Sequence, residues 1–223
     1  MSVNPDVNCQ QEAPPELFLP RWPIGTPGEL IAETDIFAGK ILAKHGIKAF
    51  AMPFEAAVAH ESGHVIVAAA EGCKIDKVCL IRSMLPALGE IWGGKFLERN
   101  RWTRDANTPP QDDLRRARIV IAGYAGEKAY GVARPGSSLD ERALSYFLAV
   151  LAADNLKRTD WQALWHEQVW KPIKPVFETN RRPFEQLMDA LCSHERVQGA
   201  KLQTILSHVK PIATKPSTED VLS

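Results

Sequence analysis

With 223 residues and 45% apolar side chains, the chain can bury a core of its own and is expected to form one folded unit with irregular ends. Its 27 Lys and Arg balance 27 Asp and Glu, and no strongly basic run occurs, so nucleic acid is not an expected partner. No stretch approaches the ~18 consecutive apolar residues of a membrane span. The opening Met-Ser-Val-Asn-Pro-Asp has neither a basic nor an apolar signal region, so a cytoplasmic location is expected. Cys9, Cys73, Cys79 and Cys192 lack metal-type spacing and read as reduced thiols.

Residues 1–27 hold Pro5, Pro14, Pro15, Pro20, Pro23 and Pro27 and are expected to form an extended arm. A folded domain over 28–208 and a loose tail over 209–223 should follow. A helix is expected near 29–45. The next begins at Pro53, whose missing N–H suits a first turn, and stops at Gly72. Within it Phe54, Val58, Val65, Ile66 and Ala69 recur at helical spacing and should face a core. His60-Glu61-Ser62-Gly63-His64 lies on the same helix and reads H-E-x-x-H. Imidazoles at i and i+4 stand about 5–6 Å apart at their Cβ atoms, a span that one zinc ion bridges. A glutamate beside the first can act on water held by that ion. Gly63, a poor helix residue, implies a close neighbour there.

Strands are expected over 74–82 and 87–97. Gly89–Lys95 fits G-x-x-x-x-G-K, but Phe96 follows where a magnesium-binding hydroxyl is needed, so no nucleotide loop is expected. Asn107-Thr-Pro-Pro-Gln-Asp-Asp113 should open a helix over 111–130. Further helices are expected over 139–156 and 159–170. Trp161, Leu164, Trp165 and Val169 in the latter read as core or as a self-association face, which leaves a homo-oligomer open.

The segment Ala59–Val67 resembles the zinc helix of the FtsH-type metallopeptidases, the proteolytic half of the membrane AAA proteases. Similarity continues in order through Lys77–Arg82, Ala87–Trp92, Arg118–Gly131 and the C-terminal stretches 183–192 and 197–206. It covers roughly residues 53–207. The resemblance implies an α+β fold, predominantly α-helical, with a small β-sheet beside a zincin-like active-site helix. It implies zinc held by His60, His64 and an acidic residue near the start of the helix after Gly136-Ser-Ser. Asp140 is the favoured candidate there; Glu141 is the alternative, because the alignment slips by one residue in that turn. Glu61 would be the catalytic base. Leu88, Gly89, Glu90, Ile91 and Trp92 would form an edge strand that pairs with an extended substrate. The chain has no room for the family's ATPase. The expected activity is therefore ATP-independent zinc-metallopeptidase hydrolysis of peptides or unfolded segments. The alternative is a non-catalytic, zinc-stabilised protein-binding module that keeps the fold.

Overall fold

The computed structural model describes residues 27–86, 88–99, 103–105 and 107–212. The expected Pro-rich arm lies outside these residues except for Pro27, as does the tail from residue 213 onward. The described chain is mostly helical with one small antiparallel sheet, an α+β arrangement. No helix among the described residues is long and apolar enough to cross a membrane.

Helix α1 (Pro27–His45) leads through a 3-10 turn (Ile47–Phe50) to α2 (Phe54–Ala70). Helix α2 is hydrophobic almost all round, and such a helix must be enclosed. Val58, Val65, Ile66, Val67 and Ala68 are each fully buried. Burying each Val or Ile contributes roughly 1.5–3 kcal/mol. Gly72 ends the segment with φ of 81°, a left-handed turn that glycine takes without strain.

Strands β1 (Ile75–Leu85) and β2 (Gly89–Glu98) then form a hairpin beside α2. The short β3 (Arg196–Gln198) pairs with the other side of β1, so the order is β2-β1-β3 and β2 is an edge. That edge is partly used: the Trp92 N–H donates to the Met52 carbonyl at 2.8 Å.

Helix α3 (Pro110–Tyr130) lies against α2, and α4 (Leu139–Asn155) packs on α3. The α2–α3 approach is set by glycines. A Cβ on Gly63 would stand 2.3 Å from the Ala122 carbonyl oxygen, and one on Gly126 would stand 2.5 Å from that of Ala59. The close neighbour expected at Gly63 is thus the α3 backbone.

The expected helix over 159–170 is α5 (Trp161–Trp165) followed by a π turn (His166–Trp170), and α6 (Lys171–Thr179) continues it. Trp161, Trp165 and Val169 are buried in the main core, so this apolar face serves as core. Helices α7 (Arg181–His194) and α8 (Gly199–Leu206) complete the fold. Residues 209–212, expected to open the tail, are docked instead. Lys210 exchanges hydrogen bonds with the buried Asn180 side chain, and the Ile212 N–H donates to the Ala70 carbonyl.

Candidate metal centre

Helix α2 presents His60 and His64 to the start of α4. Their Nε2 atoms are 3.0 Å apart, and Glu141 Oε1 lies 3.1 Å from the first and 3.0 Å from the second. The three residues form the group among the described residues whose donor atoms converge tightly enough to hold a metal ion. His60 and His64 are 5% and 7% exposed.

Asp140, the favoured third ligand, does not join them; it is exposed on the first turn of α4. Helix phase is the reason. Leu139 packs with Ile41 and Ala49 under α1, and Arg142, also buried, packs on Tyr124. With those two faces fixed, the roughly 100° step per residue turns Glu141 to the histidines and Asp140 to solvent. Ser138 absorbs the slip in the preceding turn by adopting a left-handed φ of 52°.

The far ring nitrogens are held as well. His64 Nδ1–H donates to the Ile119 carbonyl at 2.7 Å, and because a carbonyl only accepts, the proton belongs on Nδ1. His60 Nδ1–H donates to Glu127 Oε1 at 2.8 Å, and the Ser138 hydroxyl donates to the same oxygen at 3.0 Å. Glu127 is 1% exposed. Such outer partners fix the tautomer and turn the Nε2 lone pairs inward.

Two inward lone pairs and a carboxylate oxygen within 3.1 Å of each other repel unless a cation sits among them. In the metal-free protein that cation is a proton. Burial pulls the His60 imidazole down, but Glu127 and Glu141 outweigh it and push the group up to about 10. Burial alone would raise the Glu141 carboxyl, yet the His64 and His60 charges hold it well below the usual carboxylate range.

The donor set also fits a metal. Ligands about 2.0–2.1 Å from a tetrahedral zinc stand ~3.3 Å from one another, close to the spacing found here. Glu141 Oε2 is buried with no hydrogen-bond partner among the described residues. Gly123 keeps the space clear: a Cβ there would stand 2.4 Å from His60 Cε1 and 2.6 Å from both Nε2 atoms. Two imidazoles and one carboxylate are an ordinary zinc set.

Glu61 faces the same region from the β2 side. It is 4% exposed and makes no hydrogen bond among the described residues. A Cβ on Gly94 would stand 2.6 Å from its Cγ, so the strand backbone confines the side chain. Burial raises the Glu61 carboxyl, opposed by the His64 and His60 charges.

The residues expected to pair with substrate lie in the hairpin turn and the first half of the edge strand β2. Leu88 is in the hairpin turn, Glu90 pairs with Arg82, and the Trp92 indole donates to Glu90 Oε1 at 2.7 Å. Gly89 and Ile91 belong to the same distal half of β2. The β2 residues that touch the site are Gly94, against Glu61, and Phe96, whose ring stacks 5.7 Å from that of His64.

The sequence reading assigned no role to Glu127, Ser138, Gly123 or Gly94. A charged residue inside the apolar run Ile119–Ala129 was a signal for Glu127, but which histidine it serves depends on tertiary packing. No protein-family model matches the chain, and no curated protein sequence matches it either.

Proposed function

We propose that this chain is an ATP-independent zinc metallopeptidase that hydrolyses peptide bonds in peptides or unfolded segments. The supporting observation is the position of Glu61: a buried carboxyl with no hydrogen bond among the described residues, beside three metal-type donor atoms and against an edge strand. A purely structural centre has no use for that group. The resemblance of the α2 motif to the FtsH-type zinc helix points the same way, and with it goes a zincin-like fold.

His60, His64 and Glu141 would hold the metal. Zinc, when bound, polarises the scissile carbonyl and lowers the pKa of the attacking water. Glu61 takes the proton from that water and passes it to the leaving amine; its upward-shifted carboxyl suits both directions of transfer. Glu127 and the Ile119 carbonyl hold the imidazoles in one tautomer throughout. Substrate would lie extended beside Gly94 and Phe96, on the half of β2 nearest the site.

The low exposure of His60, Glu61 and His64 also suits the second reading, a zinc-stabilised protein-binding module. Incubating zinc-loaded protein with casein, beside Glu61→Gln at matched zinc content, separates the two. The peptidase reading expects cleavage by the parent and a loss of at least about 100-fold in the variant. Equal cleavage by both, or none by either, overturns it.

A further inference from the structure

The pairing of β1 with β2 shows which backbone groups of β2 face its open edge. In an antiparallel pair, facing residues alternate between exchanging both hydrogen bonds and turning N–H and C=O away from each other. Leu80 faces Gly94, and Arg82 faces Trp92. The Leu80 N–H goes to the Glu195 carbonyl on the β3 side, and the Trp92 N–H goes to the Met52 carbonyl on the opposite side. Both pairs are therefore of the outward-turned kind, and so is the pair of Val78 with Phe96, two residues further along. Trp92, Gly94 and Phe96 thus direct their N–H and C=O groups to the outer edge. Gly94 lies against Glu61, and the Phe96 ring stacks on that of His64.

At Trp92 that edge is already taken, and Met52 is held there from both flanks. Phe54 sets its ring edge-on to Trp92 at 4.9 Å, and Met52 packs on the main core. Upstream, the Lys48 carbonyl accepts from Arg134 Nη1 at 3.3 Å. The Ala49 carbonyl lies so near Gly136 that a Cβ there would stand 2.7 Å from it. A segment fixed in this way is a wall. An extended chain rises about 3.3 Å per residue, so roughly two residues fit between the level of Gly94 and Met52.

We propose that Met52 closes one end of the substrate groove and makes the enzyme trim chain ends, releasing about one or two residues at a time from the carboxyl terminus. This deepens the peptidase reading and rests on it. Antiparallel addition is the better-paired mode for a strand that joins an edge. A substrate in that direction runs from Glu98 towards Trp92, so its carboxyl end meets Met52. At the bond level with Gly94 and Glu61, water gives its hydroxyl to the carbonyl carbon, the C–N bond breaks, and the remaining proton goes to the departing amine.

Nested peptides that share an acetylated amino end and lengthen stepwise at the carboxyl end test this with zinc-loaded protein and mass spectrometry. The cut should move with the carboxyl end and stay about two residues from it. Cuts at a fixed internal sequence, or at a fixed distance from the acetyl group, overturn the proposal and leave the peptidase reading standing. In Phe54→Ala, which frees the segment from Trp92, cuts should appear deeper in the chain; an unchanged pattern in the folded variant overturns the role of the segment. Binding supplies a readout independent of turnover. Zinc-loaded Glu61→Gln should bind a peptide with a free carboxyl end at least about tenfold more tightly than the same peptide continued into a folded domain. Equal affinity overturns the closed end. A preference for the free end without any cleavage by the parent supports the closed end and overturns the peptidase reading.

Discussion

Two buried regions of this molecule are built on opposite principles. At the α2–α3 seam the contact is made by Gly63, Gly123 and Gly126, with backbone against backbone and imidazole rings in the space where side chains would stand. Around α5 the contact is made by bulk: Trp161, Trp165 and Tyr146 are each about fully buried, and Trp165 stacks on Trp170 at 5.7 Å. The seam brings ionisable groups within 3.1 Å of one another, whereas the aromatic region contributes mainly buried ring area. Stability and chemistry are therefore carried by different parts of one continuous core, and substitutions should separate them.

The largest effect is expected at Gly123. Its alanine variant would place a methyl 2.4–2.6 Å from the two imidazoles, so the rings must turn and the donor atoms diverge. Zinc content measured after gel filtration should fall to near zero, while the circular dichroism of the metal-free variant stays that of the metal-free parent. Full zinc retention would show that the seam has slack that its geometry denies. Trp165→Ala is the counterpart. Truncating a buried Trp costs about 3–5 kcal/mol, and in a domain of this size that lowers the melting temperature by roughly 10 °C. Zinc stoichiometry of the folded fraction should be unchanged. Loss of zinc in step with stability would mean that the two regions are not separable.

Glu127→Gln gives a smaller effect at the centre itself. The amide can still accept from His60 Nδ1–H, but the charge that raises the basicity of Nε2 is gone. Removing such outer partners lowers metal affinity about 10–100-fold. Competition with a chromophoric chelator should read that loss, and the aromatic core should leave the melting temperature of the metal-free protein within a few degrees.

The same contrast explains what the sequence conveyed. Helix α2 was legible because the H-E-x-x-H spacing and an unbroken apolar run agree on one period, and the order of strand pair, α3 and α4 followed from turn residues between them. Helix α6 was not foreseen, since Lys171-Pro-Ile-Lys-Pro175 reads as a breaker. The fold tolerates Pro172 because the Gln168 carbonyl, which would otherwise take its missing N–H, accepts from Arg118 Nη1 at 2.7 Å beside the π turn. The choice between Asp140 and Glu141 was undecidable locally: both are acidic, both sit in a helix first turn, and the burial of Leu139 and Arg142 decides the phase. Glu127 and Gly123 acquire their roles only when α3 crosses α2.

The smallest and most discriminating effect is a pH dependence. In the metal-free protein His60 is raised from 6.5 to about 10, burial being outweighed by Glu127 and Glu141. A raised folded-state value means that the stabilisation from protonated His60 is fully present below about pH 6.5, where the unfolded group is charged as well. It is lost as pH climbs towards 10. The Glu141 shift runs the other way and matters only on the acid side, where its contribution disappears as the carboxylate is protonated. Between pH 7 and 10 chelated protein should therefore lose stability, by a few kcal/mol at most. Zinc-loaded protein should hold steady over that range, because metal binding displaces the His60 proton and affinity grows as protons become scarce. Thermal melts of both forms across this range should diverge with rising pH. Calorimetry in buffers of different ionisation enthalpy at pH 8 should show about one proton released per zinc bound. Parallel melts together with no proton release would mean that His60 is already neutral without metal, and that the carboxylates around it orient the ring without charging it.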